Sequence, residues 1–434
     1  MTTLIKNALL VNEGRKLPGS LLIEDELIAD IFPTGAPLPS ADKVVEANGA
    51  LLMPGIIDDH VHFREPGLTH KGDIASESRA ALAGGVTSVM DMPNVSPQTT
   101  TIALWEEHEA LGLKHSRVNY ACHFGTTNTN IEEIKHIDPT RVPAVKLFMG
   151  SSTGNMLVDK ESALRQIFRH SPVPVMAHCE ETGRISQRMS KAQELWGDDP
   201  DVCHHTWIRD EEACWLSSSL AVRLAREEGA RLHIAHVTTQ RELSLLSGNI
   251  TGEACVSHLL YTEDDYQRLG TALKVNPSVK TESDRQALLQ ALRHGTLTLI
   301  GSDHAPHLLS EKQGGCRLAA SGMPLVQFSL ISMLEQGEVS VEQIVSLMCH
   351  APATLFGIEG RGFLRKGYKA DLALVEQTEW TLSKEDILSK CGWSPLEGQT
   401  FHHRIWQTYV NGCLAYDHAI VDDTHRGEAL HFIR

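Results

Sequence analysis

The stretch Asp59-His60-Val61-His62-Phe63-Arg64-Glu65-Pro66-Gly67 sets two histidines at i and i+2. In a strand those positions share a face, so His60 and His62 would present two imidazoles to one metal ion. Arg64 follows two residues later, and its planar guanidinium can grip a carboxylate in a fork. Metal ligands and an anion clamp thus share one strand end.

Further candidates fall at the ends of apolar runs. His178 ends Val173–Ala177, His236 ends Leu232–Ala235, and Asp303 follows Leu297–Ile300. Lys146 lies inside Val145–Met149, where an unpaired ammonium would be costly. One histidine at a strand end is ordinary, but chance does not account for four histidines, an aspartate and a lysine so placed.

A desolvated lysine has a depressed pKa and becomes a nucleophile. Attack of the Lys146 amine on carbon dioxide would form a carbamate whose two oxygens can bridge two cations. Two cations about 3.5–4 Å apart would acidify a shared water and polarise a carbonyl. Asp303 would take the water's proton and return it to a leaving nitrogen. Imidazole-rich ligation favours zinc, with cobalt and manganese left open by residue type.

These residues need a frame that brings strand ends together. From about residue 53 the chain repeats apolar run, turn and amphipathic stretch. Strands are expected at Ile56–His62, Val86–Met92, Val118–His123, Ala144–Met149, Val173–His178, Leu232–His236, Ala254–Ser257 and Leu297–Asp303. Helical segments between them include Ala75–Ala83, Ile102–Gly112, Lys160–His170, Glu211–Glu228 and Ser283–His294. Eight β units alternating with helices predict an α/β fold, a (β/α)8 TIM barrel at residues 53–355, with ligands at the C-terminal strand ends. An open doubly wound sheet is the structural alternative, but no GxGxxG follows the first strand.

Residues 1–52 and 356–434 both read as short strands, with Asn411-Gly412 a strong hairpin signal. The two chain ends are expected to pair into one small β-sandwich domain beside the barrel. The formal charge of −16 argues against nucleic acid or an anionic membrane as a general partner. An anionic small-molecule substrate would need a local positive site, which Arg64 and a metal would supply. No apolar run approaches the roughly 18 residues of a membrane span, and the first residues lack a signal-peptide pattern. Nine cysteines without a CxxC pair read as reduced thiols of a cytoplasmic protein.

Assembled, the motifs resemble the amidohydrolase superfamily and, within it, the dihydroorotases. The likeness runs through Pro54–Gly67, Gly84-Gly85-Val86-Thr87, Met92-Pro93-Asn94, Lys146–Met149, Ala177–Glu180, Ala235–Thr238, Lys274–Pro277 and Gly301–His307. It implies two zinc ions per subunit, one held by His60, His62 and Asp303, the other by His178 and His236, with carboxylated Lys146 between them. It also implies that Arg64, Asn94 and His307 bind a substrate carboxylate, and that Asn276 and the backbone near Gly322-Met323-Pro324 contact its ring. The reaction implied is reversible hydrolysis of L-dihydroorotate to N-carbamoyl-L-aspartate in de novo pyrimidine biosynthesis. A homodimer is implied too, with association to aspartate transcarbamoylase a further expectation.

Arg64 separates the readings, since hydantoinases and allantoinases share the metal strands but not this arginine. A catalytically dead scaffold subunit would be expected to lose metal ligands, and here all six are present. Within the motifs, His258 has no catalytic role, His233 is read as structural and facing away from His236, and His304 is unassigned. His204-His205 read as solvated, and His307–Gly322 as a loop that can cover the site.

Overall fold

The computed structural model describes residues 1–150 and 156–434. The first strands are β1 (Thr2–Asn12), β2 (Arg15–Glu24), β3 (Leu27–Pro33), β4 (Lys43–Glu46) and β5 (Leu51–Pro54). The barrel strands are β6 (Ile56–Val61), β7 (Val86–Asp91), β8 (Asn119–Cys122), β9 (Phe124–Gly125), β10 (Val145–Phe148), β11 (Val175–His178), β12 (Leu232–Ile234), β13 (Ile250–Cys255) and β14 (Leu299–Gly301). The last are β15 (Leu372–Thr381), β16 (Thr400–Val410), β17 (Cys413–Asp417) and β18 (Ile420–Val421).

All pairings from β6 to β14 are parallel. β8 and β9 form one strand interrupted at His123, which brings the barrel count to eight. The ring closes where the His62 amide donates to the His304 carbonyl at 2.7 Å. Residues of β6, β7, β8 and β10 to β12 are buried throughout, which is why they read as unbroken apolar runs rather than alternating ones.

The seventh strand begins four residues before the expected Ala254, and Val256–Leu260 is helical. Gly252 hid its start. A Cβ there would lie 3.0 Å from Val237, so the glycine serves close packing inside a strand. Helices Thr182–Trp196 and His205–Ile208 were also not anticipated.

The outer strands join in one nine-stranded sheet of order β18-β17-β16-β15-β5-β1-β2-β3, with β4 also paired to β1. Both chain ends therefore build a single β domain, enclosing a core of Ile5, Leu21, Ile23, Leu52, Leu372, Leu374 and Tyr409. Asn411 (φ +49°) and Gly412 (φ +75°) make the two-residue turn between β16 and β17. No helix among the described residues is long and apolar enough to cross a membrane.

A buried polar knot ties this domain to the barrel. Arg361 pairs with Asp371 and donates to Asn411 Oδ1 at 2.7 Å. Asp371 also accepts from Asn119 of β8 at 3.1 Å and from the Asn411 amide at 2.8 Å. Removing one partner of a buried pair strands the other charge. Arg361→Ala is expected to lower stability by about 3–5 kcal/mol, measured by urea unfolding.

Candidate metal centre and substrate cleft

The barrel mouth holds a cleft of about 660 Å³ lined by His60, His62, Arg64, Asn94, Lys146, His178, His236, Asn276, Asp303 and His307. Every residue singled out from the sequence as a site residue reaches this one cleft. Three of them, Arg64 (φ +70°), His236 (φ +38°) and Asp303 (φ +48°), sit in left-handed backbone that non-glycine residues avoid. Such strain, of order 1–3 kcal/mol each, persists where surrounding contacts over-determine the conformation. Asp58 is one such contact: its Oδ1 accepts from the amides of His60 at 3.2 Å and Ser302 at 3.1 Å, locking β6 to the end of β14.

Two groups of ligand atoms face each other. His60 Nε2 lies 3.3 Å and His62 Nε2 3.2 Å from Asp303 Oδ1. His178 Nδ1 and His236 Nε2 are 2.9 Å apart, and the His236 ring centroid is 5.4 Å from that of His60. The opposite nitrogens are anchored where partners exist: His60 Nδ1 on Glu253 Oε1 at 2.5 Å and His62 Nδ1 on Asn94 Oδ1 at 2.9 Å. A histidine whose Nδ1–H is spent this way offers the Nε2 lone pair. Glu180 lies 3.2 Å from His178 Nε2; burial would raise its carboxyl, but Arg209 holds it at about 2.

Lys146 is fully buried, and its Nζ has no hydrogen-bond partner among the described residues. Burial depresses its pKa. A buried amine without a partner among the described residues, lining the same cleft as four imidazoles, fits a residue completed by carbamate and cations. Burial alone would raise the Asp303 carboxyl, but the imidazoles of His60, His62 and His236 hold it well below the usual range. Asp303 is ionised at neutral pH.

Arg64 closes the other end of the cleft. Its Nε donates to the Pro306 carbonyl at 3.2 Å and its Nη2 to His307 Nε2 at 3.1 Å. Glu65, its sequence neighbour, instead accepts from the Ile74 amide at 3.1 Å and lies 3.3 Å from His115 Nδ1.

Several residues were misread or missed. His205 is buried, not solvated: its Nε2 reaches the Val275 carbonyl at 3.0 Å and Asn276 Oδ1 at 3.1 Å, so it orients Asn276. His233 does not face away from the site region: its Nε2 is 3.8 Å from Glu253 Oε2, while the His236 amide donates to Glu253 Oε1 at 3.0 Å. Strand alternation fails because His236 lies beyond β12 in left-handed backbone. His304, unassigned from the sequence, bonds Glu77 Oε2 at 2.9 Å and accepts from the Leu325 and Val326 amides. His258 Nε2 donates to the Pro277 carbonyl at 2.9 Å, a structural role. The stretch 307–322 is pinned: Lys312 Nζ donates to the carbonyls of Lys274, Ala320 and Gly322, and Asp199 accepts from the Gly315, Arg317 and Leu318 amides.

Burial holds His62 and His258 at about 4 and His123 at about 3, against about 6.5 for an unfolded histidine. Between these values the unfolded chain binds protons that the folded chain does not, so stability rises with pH across the window. The metal-free protein is expected to have its full stability above about pH 6.5 and to lose it toward pH 4, read as a lower urea midpoint at about pH 5 than at about pH 7.5.

The chain matches the Amidohydrolase family over residues 51–414. It is 32% identical to a dihydroorotase of Lactobacillus helveticus, covering 96% of this chain and 99% of that one. It is 33% identical to a dihydroorotase of Methanosarcina mazei, covering 91% and 90%. Among solved structures, the L-hydantoinase (dihydropyrimidinase) from Arthrobacter aurescens superposes with a TM-score of 0.92 at 24% identity, over 99% of both chains. The dihydropyrimidinase from Brevibacillus agri gives a TM-score of 0.90 at 22% identity, over 100% of both. At those identities the structural likeness speaks for the fold alone. The chain belongs to the amidohydrolase family and is a hydrolase acting on cyclic amides.

Proposed function

We propose that the chain is a dihydroorotase, catalysing the reversible hydrolysis of L-dihydroorotate to N-carbamoyl-L-aspartate in pyrimidine biosynthesis. The observation that carries this reading is Arg64: it is 7% exposed, lines the same cleft as the imidazoles, and has no carboxylate within 4.0 Å among the described residues. Its pKa falls only to about 10 through burial, so it stays charged at neutral pH. A buried, unpaired guanidinium is costly unless an anion completes it. Dihydroorotate supplies that carboxylate, whereas a hydantoin ring or dihydrouracil does not. The named relatives of this chain that are dihydroorotases support the same reading.

In this reading His60, His62, Asp303, His178, His236 and carboxylated Lys146 would together hold two zinc ions. When bound, the cations supply Lewis acidity, polarising a carbonyl and acidifying water. The chain's own residues do the rest. Arg64 and Asn94 seat the ring's carboxylate beside His307, and Asn276, oriented by His205, bonds the ring. The Asp303 carboxylate accepts the proton of the attacking water and delivers it to the departing ring nitrogen, and the reverse sequence closes the ring.

Steady-state assays on dihydroorotate, a hydantoin and allantoin test the proposal. Turnover of dihydroorotate well above a slow, measurable turnover of the neutral rings is expected; preference for either neutral ring overturns it. The homodimer implied by the family resemblance and the cytoplasmic location belong to the same proposal, and light scattering would read the dimer's mass. Added aspartate transcarbamoylase would show in the same experiment whether the two associate.

A further inference from the structure

Lys71 was not among the residues singled out from the sequence. It is 8% exposed, and it lines the same cleft as Arg64. Its Nζ lies 3.2 Å from His307 Nδ1, while Arg64 Nη2 lies 3.1 Å from His307 Nε2. The imidazole is thus set between two cationic donors, and a neutral ring carries one N–H and one lone pair. If Nε2 accepts from Arg64, Nδ1 carries the hydrogen and turns it to Glu311 Oε2, 3.4 Å away. Lys71 is then left with Glu311 Oε1 at a long 3.4 Å, shared with half-exposed His70 at 3.3 Å. At least one Lys71 N–H has no acceptor among the described residues in that arrangement.

The charges at this end of the cleft do not balance. Arg64 and Lys71 contribute two positive charges, and Glu311 is the one carboxylate within 4.0 Å of either among the described residues. Lys312 adds a third cation nearby, but its ammonium is spent on three backbone carbonyls at 2.9–3.0 Å and is not available to a ligand. With Glu311 counted, this end of the cleft keeps one net positive charge, which one monoanion would neutralise. We propose that Lys71 is a second cation of the substrate-carboxylate subsite, drawn from Glu311 onto the carboxylate of a cyclic amide when it binds. This inference rests on the reading of the substrate as carboxylate-bearing and adds a residue to it. Glu311 is the resident counter-ion that the substrate displaces.

The assignment predicts substitutions of opposite sign. Lys71→Met is expected to raise KM for dihydroorotate, and the Kd for orotate by calorimetry, by about tenfold, the worth of one hydrogen bond to a charged group. kcat should stay within about threefold, dihydrouracil hydrolysis should not fall, and Lys71→Arg should restore most of the loss. Glu311→Gln, which keeps the acceptor for the Leu308 amide, frees Lys71 and should lower the Kd for orotate. Equal losses on dihydroorotate and dihydrouracil, or an orotate Kd unmoved in both variants, overturn the role of Lys71. A wild-type protein that fails to bind orotate or turn over dihydroorotate overturns the carboxylate reading, and the Lys71 assignment falls with it.

Discussion

Asp303→Asn is expected to lower kcat by about 10²–10⁴-fold while the folded protein survives. Asparagine is isosteric and keeps an oxygen where Oδ1 faces His60 and His62 at 3.3 and 3.2 Å. What it loses is the capacity to take a proton. The loss should therefore appear in kcat rather than KM, because no contact to the ring or its carboxylate is removed. Metal content measured on the same sample separates proton transfer from ligation. A variant that keeps its metal and stays within about tenfold of the wild-type rate would remove Asp303 from proton transfer.

Arg64→Met should cost about 10²–10³-fold in kcat/KM on dihydroorotate and leave a neutral cyclic amide within a few fold. Truncating one partner of a buried, charged hydrogen-bonded pair costs about 2–5 kcal/mol, which sets that range. Methionine preserves the unbranched stem, so the cleft wall keeps most of its packing. It also removes the donor to His307 Nε2, 3.1 Å away, and part of the effect will come from that ring turning. Comparing the two substrates corrects for this, because a displaced ring alone would slow both. Equal losses on both would show that Arg64 shapes the cleft without reading charge.

Much of this site was legible in the chain because its ligands stand at strand ends, where an apolar run stops at a polar residue. His60 and His62 announce themselves by alternation, and His178, His236 and Asp303 by terminating buried strands. Residues acting through tertiary contact carry no such mark. Glu253 directly follows Gly252 in the part of β13 that this glycine disguised, yet it anchors both His60 and the His236 backbone. His205 belongs to a four-residue helix far from Asn276 in sequence, and only the fold shows that it holds the Asn276 amide. Lys71 sits in a turn-rich segment without periodicity, so nothing in its spacing separates it from a surface lysine.

The β domain was legible in kind but not in register. Alternation and turns identified strands at both ends, and Asn411-Gly412 located one hairpin. The pairing of β5 with β15 joins residues more than three hundred positions apart, such as Pro54 and Leu372. No local pattern encodes that.

The central claim is a two-metal enzyme for a carboxylate-bearing cyclic amide. It is tested most directly by elemental analysis and a dihydroorotate hydrolysis assay on one preparation, before and after chelation. The account predicts two zinc ions per chain and turnover that vanishes with the metal and returns with added zinc. Full turnover by the metal-free chain would contradict it, as would a fully loaded chain inert toward dihydroorotate.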